Sequence, residues 1–236
     1  MNESPITDQP ATVEVQEAAP APAVGQEARP PREKKRGAAR AAAVQPTLEK
    51  LAGFYPHLFG AVFRPLKRGI FQDLLDAHPD VFEKESLKEA LAFHTRSTRY
   101  LQAVAAGQQR HDLQGQPVEA MAPEHVHHAL LEVFRRRQGR GGEDLRPKLC
   151  ERIVQAFEAS GLPAEDYAQL VRGRDESANA LLDEALAIAA ERRAKDEALL
   201  RAFEASAGAS VDAFAGMYGL DPRAAAAALQ RARRRK

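Results

Sequence analysis

A chain of 236 residues with 44% apolar residues and a formal net charge of +1 is long enough for one or two buried cores. Its one cysteine, Cys150, excludes an internal disulfide, and no stretch approaches the roughly 20 apolar residues of a membrane span. The near-neutral total conceals segregation: residues 1–28 hold five acids and no Lys or Arg, whereas residues 29–40 hold six bases and one acid.

Residues 1–46 are rich in Ala, Pro, Glu and Gln and carry little that could fill a core, so a disordered N-terminal arm is expected there, with a basic cluster at 29–40. That cluster and the terminal RARRRK read either as solvated tails or as sources of nonspecific electrostatic affinity. No apolar stretch follows a basic start, so no signal peptide is expected, and with a lone cysteine the expected compartment is the cytoplasm.

Residues 47–138 contain all seven histidines and clear periodic segments, and are the expected folded core. LEKLAGFYPHLF suggests a short helix that ends near Pro56. In RPLKRGIFQDLL, Pro65 suits a first helical position, and Leu66, Ile70, Phe71, Leu74 and Leu75 form one stripe. That reading puts Lys67 inside the stripe and Gly69 in mid-helix, where glycine costs about 1 kcal/mol relative to alanine. SLKE at 86–89 has the capping-box form, Ser86 facing the N–H of Glu89. A polar break at Thr95–Thr98 precedes another helix that begins in RYLQAV. RHDLQGQPVEAM is the hairpin candidate, with Gln114-Gly115 as a two-residue turn. Pro123 then opens a helix with Val126, Leu130, Val133 and Phe134 in register, ending in three arginines that suit its negative pole.

Residues 139–144 read as a Gly-rich linker and 145–236 as a helical, Ala-rich C-terminal region. AFEAS occurs at 156–160 and again at 202–206, either a degenerate repeat of a helix pair or chance in so Ala-rich a chain. FAGMYGLDPRAAAAALQRARR loosely resembles a helix-turn-helix, which makes a DNA-binding or protein-adaptor factor the alternative function. Alanine at every recognition position argues against base readout.

Lys67 and Arg68 stand at what reads as a helix start, where unpaired N–H groups and an ammonium together can hold a phosphate. The alternative is a lysine stem that only covers core surface. Thr95 and Ser97 can cap the following helix and leave N–H groups for a phosphate or a terminal ribose. His125 and His128 share a helical side, but no cysteine or spaced carboxylate completes a ligand set, so no metal is expected. Neither a nucleophile motif nor a phosphate-cradling glycine loop is present, so an enzyme is not expected.

Four segments, YPHLF at 55–59, RPLKRGI at 64–70, TRSTRYL at 95–101 and RHDLQGQP at 110–117, resemble in order and spacing the ProQ/FinO family of bacterial RNA-binding proteins. Arg96 departs from a more usual serine and Thr98 from a frequent tryptophan. The resemblance implies a ProQ/FinO-like domain over 47–138, mainly α with a small β-hairpin element and a basic concave face. It implies an RNA chaperone for structured RNA, typically a stem with a single-stranded 3′ tail, in small-RNA-based post-transcriptional regulation. The implied partners are small RNAs and mRNA 3′ ends, and no cofactor is implied; apart from the resemblance, no membrane partner is expected, and the Ala-rich region 145–236 could dock a protein. On this basis the RNA-binding residues expected are Arg64, Lys67, Arg68, Lys88, Thr95, Ser97, Arg99, Tyr100 and Arg110. Arg99 projects opposite Leu101, Tyr100 could stack on a base or ribose or hydrogen-bond a phosphate, and Arg110 could clamp the backbone.

Overall fold

The computed structural model describes residues 31–138, 144–206, 208 and 210–235. The disorder expected for residues 1–30 and the glycines at 139–142 lie outside the described residues. Helix α1 (Pro31–Phe54) starts well before residue 47, so residues 31–46 are helical where an unstructured arm was expected. It runs through Pro46, and Val44 and Leu51 are buried against the core. Tertiary burial outweighs the missing proline N–H and the poor local pattern. Pro56 opens the one-turn α2 (Pro56–Phe59), which seats Leu58 and Phe59 in the core.

Residues 64–67 are not helical, and Arg68 and Gly69 form a turn. Pro65 O accepts from the His111 N–H, and the Lys67 N–H donates to His111 O, both at 2.8 Å. Leu66 thereby forms a parallel bridge to a hairpin of β1 (Arg110–His111) and β2 (Pro117–Glu119). The hairpin pairs Arg110 with Glu119 and His111 with Pro117, with an irregularity between the first two residues. Its turn holds three residues rather than two, because the Asp112 N–H closes on Gln116 O. The Asp112 carboxylate accepts from the N–H groups of Gln114 and Gln116, and Gly115 supplies the positive φ. Helix α3 (Ile70–Ala77) begins only after Gly69, which sits at φ 81° as its N-cap and not in mid-helix. The glycine turns the chain from strand to helix through a region that other residues avoid.

Helix α4 (Lys84–Thr95) starts one turn before the expected capping box. Glu83 is the N-cap, and the Ser86 hydroxyl donates to its carboxylate at 2.8 Å. Helices α5 (Thr98–Ala105) and α6 (Pro123–Gln138) pack on each other. Helices α7 (Arg146–Ser160) and α8 (Ala164–Val171) then pack on α6. One buried cluster therefore runs from Val44 through Leu130 to Ile153, Tyr167 and Leu182.

The C-terminal region is a tandem device. Its axis is α9 (Glu176–Ala205), followed by α10 (Val211–Met217) and α11 (Pro222–Arg234). Both AFEAS segments end a long helix in the same way: Ser160 and Ser206 each donate to the carbonyl of their own Phe, Phe157 or Phe203, at 2.6 Å. Each of these rings packs on one aromatic of the next short helix, Phe157 on Tyr167 at 5.3 Å and Phe203 on Phe214 at 5.2 Å. Asp175 and Asp221 then cap the helix that follows. Helix α9 closes the first unit and opens the second. Arg231 of α11 and Arg235, its C-cap, turn inward onto Asp196 of α9, so the terminal basic run is partly consumed in packing. Among the described residues, no helix is long and apolar enough to cross a membrane.

Candidate functional site

The extended segment is gripped at Leu66 from both sides. The Leu66 N–H donates to the Tyr100 hydroxyl of α5 at 3.0 Å, and Leu66 O accepts from Arg110 Nη1 at 3.0 Å. Tyr100 is 7% exposed, with His94 edge-on to its ring at 5.3 Å, so no base can stack on it. Burial raises the Tyr100 pKa and keeps the hydroxyl protonated. The Arg110 side chain is 13% exposed, with Nε 3.4 Å from Glu119 Oε1 and Nη2 3.4 Å from His125 Nδ1. Tyr100 and Arg110 thus brace the extended segment, each finding its partner in a backbone group 34 or 44 residues away, and base stacking is excluded for the buried Tyr100 ring.

The other expected residues divide by their partners. Lys67 Nζ is 2.7 Å from Asp73 Oδ2, and that hydrogen bond raises its pKa. The Arg68 N–H donates to Glu119 Oε1 at 3.3 Å, while its guanidinium is mostly exposed. Arg64 donates to Gly115 O at 3.3 Å and ties the segment to the hairpin turn. Lys88 is exposed on α4, about two turns before Thr95, and makes no hydrogen bond or ion pair among the described residues. Thr95 is not a cap: its hydroxyl donates back to Leu91 O at 2.8 Å inside α4.

Ser97 is the N-cap of α5 and accepts from the Tyr100 N–H at 3.2 Å. The Thr98 and Arg99 N–H groups have no acceptor among the described residues, as expected of a first helical turn. Arg99 lies over the Phe63 ring at 4.3 Å and donates to Ala61 O. Arg136 reaches from α6 to Arg96 O at 2.8 Å and Thr98 Oγ1 at 3.2 Å. The α5 start is therefore flanked by Arg99 and by Arg136, which also meets Glu132 at 3.6 Å, and is directly preceded by the exposed Arg96, the C-cap of α4. Sequence reasoning read Arg136 only as a helix-end cation, since nothing local signals its reach to α5.

His94 lies under this site at 3% exposure, among Phe59, Phe63 and Tyr100. Burial, and then the Arg99 charge, lower its pKa to about 4. His127, also at 3% exposure, stands edge-on to Tyr167, and burial followed by the His128 charge lowers it to about 4 as well. Both are core histidines. Among the described residues, no group of three or more His, Cys, Asp or Glu could hold a metal ion.

The free N–H groups and arginines at the α5 start, together with the exposed side of Arg68, offer hydrogen bonds and positive charge to an anion. A ProQ/FINO family model matches residues 41–145. Among solved structures, a FinO-like RNA chaperone from Neisseria meningitidis is similar at 32% identity and a TM-score of 0.34, over 36% of this chain and 88% of that one. A ProQ homologue from Legionella pneumophila is similar at 24% identity and a TM-score of 0.33, over 54% of this chain and 99% of that one.

Proposed function

The chain belongs to the ProQ/FINO family through residues 41–145, and on that premise we propose that it is an RNA-binding chaperone. Its ligands are structured RNAs, stems with a single-stranded 3′ tail of the terminator type, and its work is small-RNA-based post-transcriptional regulation in the cytoplasm. The observation that carries this reading, beside the family match, is the α5 start, where two open N–H groups are flanked by Arg99 and Arg136 and preceded by Arg96. A phosphate or terminal ribose of the tail accepts from Thr98 and Arg99 N–H, with Arg96, Arg99, Arg68 and Lys67 neutralising neighbouring phosphates. Arg64, Ser97, Tyr100 and Arg110 shape the site, and Thr95 and Lys88 stand along α4 beside it.

Such contacts go to phosphate and sugar, so selectivity comes from shape and a free end. The full chain should shift a terminator hairpin with its 3′ tail, bind the trimmed hairpin more weakly, and lose affinity steeply with salt. Equal affinity for tailed, trimmed and duplex RNA would refute end recognition. A second reading, a protein partner on 145–236, is favoured by the exposed run of Met217, Tyr218 and Leu220 between α10 and α11.

A further inference from the structure

Between the hairpin base, the α6 start and α7 lies a half-open cleft of about 470 Å³. Its volume falls in the range of small-molecule sites. Met121, Pro123 and Ala156 give it an apolar floor, Gln109 and Gln155 bring side-chain amides, and Arg152 is its one cation among the described residues. Among the described residues, no Asp or Glu lines it. Arg152 donates to Ala105 O at 3.0 Å and has no carboxylate partner among the described residues. Burial, followed by the like charge of Arg137, lowers its pKa, so an anion there would relieve an uncompensated charge. The α7 wall lies beyond residue 145, where the family match ends.

We infer that this cleft seats one unpaired nucleotide of the bound RNA, its base on Met121 and Pro123 and its phosphate on Arg152. The assignment rests on the RNA-binding reading above and extends it. Gln109 and Ala120 immediately flank Arg110 and Glu119, and Glu119 also meets Arg68, so the cleft opens where the proposed track leaves the hairpin. An arginine in an acid-free, apolar-floored cleft matches a nucleotide, which pairs a flat apolar face with a phosphate. The Gln109 amide, and the carbonyl of Gln155, whose NH2 group donates to Glu151 Oε1 at 3.3 Å, can meet a base edge without selecting one.

The test uses the full chain and a terminator hairpin with 3′ uridine tails of increasing length. In the wild type, affinity should rise with tail length until the cleft is filled. Arg152→Ala should remove about tenfold of that gain, the weight of one charge-assisted contact, and Arg152→Lys should restore part of it. Ala159→Trp, at an exposed cleft position, should block the same gain by filling the space. Circular dichroism on each variant verifies the fold. A 4-thiouridine tail should crosslink to the peptide that carries Arg152 to Ser160. If the wild type shows tail-dependent binding but neither variant alters it and no crosslink reaches α7, the cleft assignment is overturned while the RNA-binding reading stands. If the wild type ignores the tailed hairpin altogether, that reading falls and takes the cleft with it.

Discussion

The Tyr100 hydroxyl is the acceptor for a buried backbone N–H that has no other partner in reach. Tyr100→Phe should therefore cost about 1–3 kcal/mol in urea unfolding, the penalty of an orphaned donor, while barely changing packing. Arg99→Ala should do the opposite, leaving stability within about 1 kcal/mol and weakening RNA binding in gel shifts, because the guanidinium is exposed over Phe63. His94 and His127 add a pH dependence. The unfolded chain takes up their protons near pH 6.5, whereas the folded chain resists until about pH 4. Their contribution is thus fully present above pH 6.5 and is lost as pH falls from there towards 4, on the order of 3 kcal/mol each. His94→Phe, in its aromatic surround, should flatten that stretch of a pH–stability profile, and an unchanged slope would disprove the assignment. The sequence made Arg99 and Ser97 legible, since helical phase and cap chemistry are local. It did not show that Tyr100 and Arg110 hold the backbone of Leu66, because that contact depends on a segment more than 30 residues away.

The presence of α4, α5, α6 and the hairpin follows from apolar spacing and turn residues, whereas the α4 cap falls at Glu83 rather than Ser86 and the hairpin turn holds three residues rather than two. The start of α3 does not follow from such signals. Proline followed by an apolar stripe reads as a helix, yet the peptide groups of Pro65 and Lys67 are taken by His111. Gly69 looked like a defect in a helix and is the pivot that ends a strand. Gly69→Ala should cost about 1 kcal/mol, from the positive φ alone, since a Cβ there meets nothing within 4 Å. In α9 and α11 the decisive contact is Asp196, whose side chain is 4% exposed and bonds Arg231 at 2.8 and 2.9 Å. Asp196→Ala should loosen α11 by about 2 kcal/mol, less than a fully buried pair because Arg231 still reaches water. Limited trypsin digestion should then cut α11 early while α3 to α6 resist.

The two halves of the chain share a core, which composition could not reveal: a glycine-rich junction beside an Ala-rich stretch reads as a boundary between independent parts. Instead His127 of α6 is covered by Tyr167 of α8, and Arg152 of α7 bonds the end of α5. A chain ended at residue 144 should melt roughly 5–10 °C lower than the full chain in calorimetry, the shift that 1–2 kcal/mol produces in a domain of about 100 residues. An identical melting temperature would show that the interface contributes nothing to stability. Helix α9 has a geometric consequence of its own. Thirty residues of α-helix form a strut about 45 Å long. Its first turn is tied to α6 through Asp175 and Arg135, and its far end leads to Met217 and Tyr218. A protein seated on that far end would be carried at a fixed offset from the anchored end, and removing one helical turn would shorten the offset by about 5.4 Å while also rotating the load.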